Sequence, residues 1–269
     1  MSHGLLQGKK GIIFGALDEK SIAWITALKC HEEGAQIVLT NAPVAMRMGE
    51  INKLAEKIQA PVIGCDVSNG DDVENLIAKS MEHFGGGFDF ILHSIGMSLN
   101  VRKGKHYTEI DYTHNLKTLE ISSMSLHRVL ASCMKHDALN EWGSVIALSY
   151  IAAQRIFPDY NEMADAKALL ESVARSFGYH YGARKHVRIN TISQSPTRTT
   201  AGSGVKGFDG FINYAEKMSP LGNASAEDCA NYCVAMFSDF TRMVTMQNLF
   251  HDGGFSFTGV TNDVIERMG

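Results

Sequence analysis

The sequence predicts an α/β domain of the doubly wound kind, with a central parallel sheet flanked by helices and residues 1–269 forming one unit. Three observations carry this expectation. Short apolar runs recur along the chain, amphipathic segments separate them, and no linker, internal repeat or low-complexity stretch breaks the alternation. Runs this short, interrupted by helical periods, read as parallel strands buried on both faces. A chain of 269 residues with 45% hydrophobic content is long enough to bury one continuous core.

In chain order the expected strands are Gly11–Phe14, Gln36–Thr40, Pro61–Cys65, Phe88–His93, Gly143–Leu148 and Val187–Ile192. Between the first two, Ile22, Ile25, Thr26 and Leu28 fall at helical spacing, and Gly34 signals the end of that helix. Ser225-Ala-Glu-Asp228 reads as a capping box for a late helix, weakened by Asp where Glu or Gln is preferred. The formal charge of −4 leaves no concentrated basic face for nucleic acid. Five cysteines (Cys30, Cys65, Cys133, Cys229 and Cys233) suit reduced thiols and a cytoplasmic setting better than a disulfide framework. Cys229 and Cys233 sit at i,i+4, but no Cys or His beside them completes a tetrahedral metal set. Met1 to Lys10 lack the apolar run of a signal peptide, and no stretch approaches the ~18 apolar residues of a membrane span, so a soluble protein is expected.

In such a sheet, ligands cross the carboxyl ends of the strands, and the first strand-to-helix turn offers backbone N–H groups to a pyrophosphate. That turn runs Gly15-Ala-Leu-Asp-Glu-Lys20, followed by Ser21-Ile22-Ala23, and it does not match G-x-G-x-x-G. Thr40-Asn-Ala-Pro43 supplies neither an acid for a ribose 2′-OH nor a basic cluster for a 2′-phosphate; Arg47 follows, with a solvated helix position as its other reading. Asp66-Val67 is placed to receive an adenine, although Asp66 alone also reads as a helix N-cap. The balance favours NAD.

After the fifth strand comes Tyr150, then Pro158-Asp-Tyr160-Asn-Glu-Met163-Ala-Asp-Ala-Lys167. Pro158 is tolerated in a first helical turn, so Tyr160 and Lys167 are expected on one helix. Seven residues at ~100° each return to within ~20°, displaced by ~10.5 Å, so the two side chains would face one way. A phenol beside an ammonium can stabilise an oxyanion. Taken singly, such residues are commonly a packing Tyr and a solvated Lys; the combined Tyr-x9-Tyr-x6-Lys spacing is far more specific.

At this point the chain resembles the enoyl-acyl-carrier-protein reductase family of the short-chain dehydrogenase superfamily, over nearly its whole length. The resemblance rests on Gly15 with Ser21-Ile22-Ala23, Asp66-Val67, His93-Ser94-Ile95-Gly96, Tyr150, Tyr160, Met163, Lys167, Ser195-Pro196-Thr197-Arg198-Thr199 and Asp252-Gly253-Gly254-Phe255. It implies a tetramer of Rossmann-like subunits using NADH, with an enoyl thioester on acyl carrier protein as substrate. It further implies hydride transfer to C3 of a trans-2-enoyl thioester, with Tyr160 bonding the enolate oxygen and Lys167 holding the nicotinamide ribose. Gly15, Ser21, Ile22, Asp66, Val67, Ser94, Ile95, Gly96 and Thr197 are the other expected cofactor residues. Met97, Tyr150, Tyr160, Met163, Val205 and Phe208 are expected to meet substrate, with Tyr150 shaping the pocket floor or assisting proton return to C2. Ile25 replaces a frequent family glycine, Ala42 a glutamine near the adenosine, and Lys206 is what remains of a basic cluster that would meet the carrier protein.

Four glycines between Thr197 and Gly210, beside the expected cofactor crevice, predict a substrate lid over about residues 197–217. His93 is expected to pack, since no partner for a catalytic imidazole is evident. Ser149 is expected to satisfy strand-end groups. Met46, Met48, Met97 and Met218 read by composition as core fillers, whereas Met163 lies between Tyr160 and Lys167. Two other functions remain open: a carbonyl-reducing dehydrogenase with a shifted catalytic helix, and a dinucleotide sensor without catalysis.

Overall fold

The computed structural model describes residues 2–200 and 207–269. Among these, seven strands form one parallel sheet in the order β3-β2-β1-β4-β5-β6-β7. The strands are β1 (Lys10–Phe14), β2 (Gln36–Asn41), β3 (Val62–Gly64), β4 (Phe88–His93), β5 (Leu139–Ser149), β6 (Arg188–Gln194) and β7 (Asn248–His251). The helices are α1 (Ile22–Glu32), α2 (Pro43–Met48), α3 (Ile51–Ile58), α4 (Gly70–Phe84), α5 (Leu99–Arg102), α6 (Tyr112–Leu119), α7 (Ser125–Lys135), α8 (Met163–Lys185), α9 (Phe208–Met218), α10 (Ala226–Phe237) and α11 (Asn262–Met268).

Alternating faces of the strands feed two apolar clusters. Ile12, Phe14 and Ile91 point to the face covered by α4, α7 and α8, whereas Ile13, Leu39 and Leu92 meet Trp24 of α1 and Phe237 of α10 on the other. This two-sided burial is why the strands read as continuous apolar runs. The six expected strands are present, and β5 begins earlier than expected, at Leu139. β7 escaped the sequence reading: it is a four-residue edge strand, half-buried throughout, and it pairs Asn248–His251 with Thr191–Gln194.

Helix ends follow the local signals. Ser21 caps α1 by accepting from Trp24 N, and Gly34 takes φ +93° beyond its end. The Ser225–Asp228 capping box forms in full at α10. Asn69, not Asp66, caps α4; Asp66 instead accepts from Ser68 N and Oγ. α6 and α7 run into one another through a π-turn at Glu120–Met124. Of the expected core methionines, Met218 is buried but Met48 is 82% exposed, on the outer surface of short α2.

One expectation about the helices fails. Tyr160 and Lys167 do not share a helix, because Pro158–Tyr160 forms a separate 3₁₀ turn and α8 starts only at Met163. Between them, Asn161 adopts φ +54°, ψ −141°, and its amide donates to Lys105 O at 2.7 Å. Glu162, fully buried, accepts from Ser98 and Thr118. Tertiary partners thus outweigh helical continuation at this point.

Candidate functional site

The carboxyl ends of β1, β4, β5 and β6 converge on one crevice, as the parallel sheet requires. At its floor β1 and β4 approach so closely that a Cβ on Gly15, which has φ +91°, would lie 2.0 Å from Ser94 O. Only glycine fits there. The turn then runs into α1, where the Ser21 hydroxyl is used locally, donating to Asp18 O at 2.8 Å and accepting from Leu17 N. Asn41 at the end of β2 closes the same turn by donating to Ala16 O.

A single cavity gathers most of the expected residues. Ile22, Ser94, Ile95, Gly96, Lys167 and Thr197 line it, and so do Met97, Tyr150, Tyr160, Met163 and Phe208. Gly15, Ser21, Asp66 and Val67 lie outside its lining, on the first turn and after β3, where a dinucleotide's pyrophosphate and adenosine would extend. Val205 and Lys206 fall outside the described residues. Arg47 is exposed in the last turn of α2.

Lys167 is buried, and its Nζ donates to Leu148 O at 2.7 Å. A Cβ on Gly96 would stand 3.9 Å from that Nζ and 3.5 Å from the Met163 methyl, so the ammonium reaches the wall where β4 ends. Burial draws Lys167 down to about 8, with Glu171 acting in the opposite sense. The rings of Tyr150 and Tyr160 lie 5.0 Å apart, and Phe157 continues the aromatic wall to Phe211 of α9. Burial raises both phenols, so both are protonated donors at neutral pH.

His93 packs as expected. It is fully buried, and burial, with the Lys167 charge, lowers it to about 3. Its Nε2 lies 2.8 Å from Ser125 Oγ, whose own proton goes to Ile121 O, so Nε2 carries the hydrogen. Ser149 departs from the backbone partner expected of it and donates to Glu171 Oε1 at 2.7 Å. Asp66 lies lowered: burial opposes its charge, but Ser68 and the nearby Lys117 and Arg128 outweigh it.

Several cavity residues gave no sequence signal. Val101 and Arg102 come from α5, Phe211 from α9, and Gln194 from the end of β6. The π-turn contributes indirectly: Ser122 Oγ accepts from Met97 N at 3.0 Å, and Ser123 donates to Ala166 O at 2.6 Å, pinning the wall to α8. The consecutive serines at 122 and 123 were the one available cue, and serines inside a helical period have many bland uses. Among the described residues no cluster of three or more metal-ligating side chains occurs, and no helix is long and apolar enough to cross a membrane.

A family model described as Enoyl-(Acyl carrier protein) reductase matches residues 15–256. The enoyl-[acyl-carrier-protein] reductase [NADH] FabI of Rickettsia bellii is 32% identical over 262 residues, covering 96% of this chain and 98% of its own. A crystal structure of a FabI–NADH complex from Alistipes finegoldii is similar at 63% identity and a TM-score of 0.96, covering 96% of this chain and 92% of that one. The enoyl-[acyl-carrier-protein] reductase (NADH) structure from Aquifex aeolicus follows at 32% identity and a TM-score of 0.88, covering 96% and 100%. The family match runs from the glycine under the crevice to the loop beyond β7, and with relatives matched along their full length it shows that the chain belongs to the enoyl-(acyl carrier protein) reductase family.

Proposed function

We propose that the protein is an NADH-dependent enoyl-[acyl-carrier-protein] reductase that reduces the trans-2 double bond of enoyl thioesters in bacterial type II fatty-acid synthesis. The observation that carries this reading is the meeting of Tyr150, Tyr160, Met163 and Lys167 with Ser94–Gly96 and Thr197 in one cavity at the strand ends. The residues fit a dinucleotide: Gly15 opens the first turn, Lys167 brings an ammonium to the wall, and no cation stands at Thr40–Ala42 to favour a 2′-phosphate. Gly15, Ser21, Ile22, Asp66, Val67, Ser94, Ile95, Gly96, Lys167 and Thr197 would hold it.

A nicotinamide held by these residues would supply the hydride for C3 of the enoyl thioester. The protonated Tyr160 phenol donates to the thioester oxygen as negative charge gathers there, favouring the enolate. With the cofactor bound, Lys167 would hold the ribose hydroxyls with its buried ammonium, and the Thr197 backbone would meet the carboxamide. Tyr150 shapes the floor beside Tyr160 or assists the proton that returns to C2. Met97, Met163 and Phe208 contact the acyl chain, and Val205 is assigned to it from the sequence alone. The stretch from about 197 to 217 acts as a lid, supported by Phe208 and Phe211 lining the cavity. The acyl carrier protein, a homotetrameric assembly and a cytoplasmic location complete the proposal, each by likeness to the family.

A carbonyl reducer needs a hydroxyl free to bind substrate oxygen, and Ser149 is engaged with Glu171. This favours the enoyl reductase. A dinucleotide sensor is disfavoured by the paired phenols and lysine. Crotonyl and acetoacetyl thioesters, each offered with NADH or NADPH, test all three readings. Oxidation of NADH with the crotonyl thioester, faster than with NADPH in kcat/KM, is expected. A preference for NADPH would reassign Arg47 to a 2′-phosphate, and reduction of the acetoacetyl thioester alone would favour the carbonyl reducer.

A further inference from the structure

α8 grips the carboxyl end of β5 at two consecutive residues. Lys167 Nζ donates to Leu148 O, and one turn later Glu171 Oε1 accepts from Ser149 Oγ, both at 2.7 Å. The other carboxylate oxygen of Glu171 accepts from Gln154 Nε2 at 3.3 Å. Ser149 and Gln154 bracket Tyr150, so one carboxylate spans the short segment on which Tyr150 stands. Lys167, Glu171 and Ser149 are 7%, 5% and 6% exposed. The reaction outlined above makes no use of Glu171, and a carboxylate withdrawn from water is costly unless charge and hydrogen bonds compensate it.

The groups around Lys167 single out Glu171 as its counter-charge. His93 of β4 is neutral, and the phenols of Tyr150 and Tyr160 are protonated. Arg102 of α5 is a further ionisable side chain on the cavity wall and is exposed to water. Glu162, just before α8, is engaged by Ser98 and Thr118, and Asp252, after β7, accepts from Gly254 N and Ser256 N. Glu171 lies four residues from Lys167 on the same helix, which places the two on neighbouring turns of one face. Burial depresses Lys167, and the Glu171 charge is what opposes that depression.

We propose that Glu171 is a positioning residue for the reduction: it clamps the Ser149–Gln154 segment so that Tyr150 faces the cavity, and it stands one helical turn from Lys167 as that lysine's acidic neighbour. This rests on the reductase reading for the role of Tyr150, but the effect on Lys167 is read from cofactor binding alone.

The test is NADH titration of the full-length protein at a series of pH values, together with turnover of a crotonyl thioester. In the wild type, NADH affinity is expected to fall along an alkaline limb near pH 8, where Lys167 loses its proton. Glu171→Gln keeps an acceptor for Ser149 and removes the charge, so the limb moves to lower pH. At pH 8 this weakens NADH binding about fivefold. Glu171→Asp keeps the charge but shortens the reach to Ser149; it should retain the wild-type limb while kcat falls about tenfold, as expected when a supporting group is misplaced by about an ångström. An unmoved limb in Glu171→Gln, or an equal displacement in both variants, overturns the proposal. If Glu171→Gln does not fold, the aspartate variant still decides, since a displaced limb there contradicts the charge argument. Wild-type protein that binds NADH but leaves the crotonyl thioester unreduced would defeat the reductase reading and leave the limb measurement standing.

Discussion

Tyr160 reaches the cavity from a 3₁₀ turn and not from α8, so its ring is held by its neighbours, with Tyr150 at 5.0 Å. With its phenol assigned to the enolate oxygen, Tyr160→Phe is expected to lower turnover ~10²–10³-fold while NADH affinity stays near wild type. A smaller loss would show that Tyr150 shares the oxyanion, and unchanged turnover would remove Tyr160 from the chemistry. Lys167 is different in kind. It is tethered to Leu148 O and beside Gly96, where the proposal places the cofactor ribose. Lys167→Ala should weaken NADH binding about tenfold or more, the scale of a lost charged hydrogen bond, as well as slowing turnover. Wild-type affinity in a fluorescence titration of that variant would detach the lysine from the ribose. Both residues were legible in the sequence by type and spacing; the positive φ at Asn161 that separates their elements was not, because it depends on Lys105.

At the scale of elements, the signals that succeeded are local ones. A Ser and an Asp three residues apart specify the α10 cap, and a glycine after α1 specifies its end, because each satisfies backbone groups within one turn. The signals that failed needed a partner distant in sequence: β7 is recognisable as a strand only by its pairing with β6, and the π-turn by what its serines hold. α9 belongs with the proposed lid. Phe211 of α9 packs against Phe157, and Phe208 and Phe211 line the cavity, so substrate and cofactor should order this helix against the aromatic wall. Amide exchange across Phe208–Met218 is expected to slow when NAD and an enoyl analogue are bound together. Equal exchange in the free and bound protein would leave α9 as a static surface helix.

For the whole molecule, burial at the strand ends also contributes to the response to acid. His93 is neutral in the fold, lowered to about 3, whereas in an unfolded chain it takes up a proton near 6.5. Between those values the unfolded state binds more protons, so this contribution to stability is complete above about 6.5 and is lost as pH falls toward 3. His251, lowered by burial despite Asp228 and Asp252, adds in the same direction. Urea unfolding followed from about pH 7 down to pH 4 should therefore show falling stability, with a shallower slope in His93→Gln. An identical slope in that variant would mean that other groups govern the acid response.

The sequence by itself determined the sheet class, six of its strands, the helices α1 and α10, and the residue types of the crevice, because periodicity, caps and turn glycines act over a few residues. It also determined the family, since Gly15, Tyr150, Tyr160 and Lys167 stand at specific separations within a match that spans residues 15–256. Only the tertiary structure decided how those residues meet. It separated Tyr160 from α8 at Asn161, set Met97 on Ser122, and placed Glu171 across Ser149 and Gln154. The physical reason is that a buried polar group must find its partner wherever the fold brings one, and no period along the chain records which residue that will be.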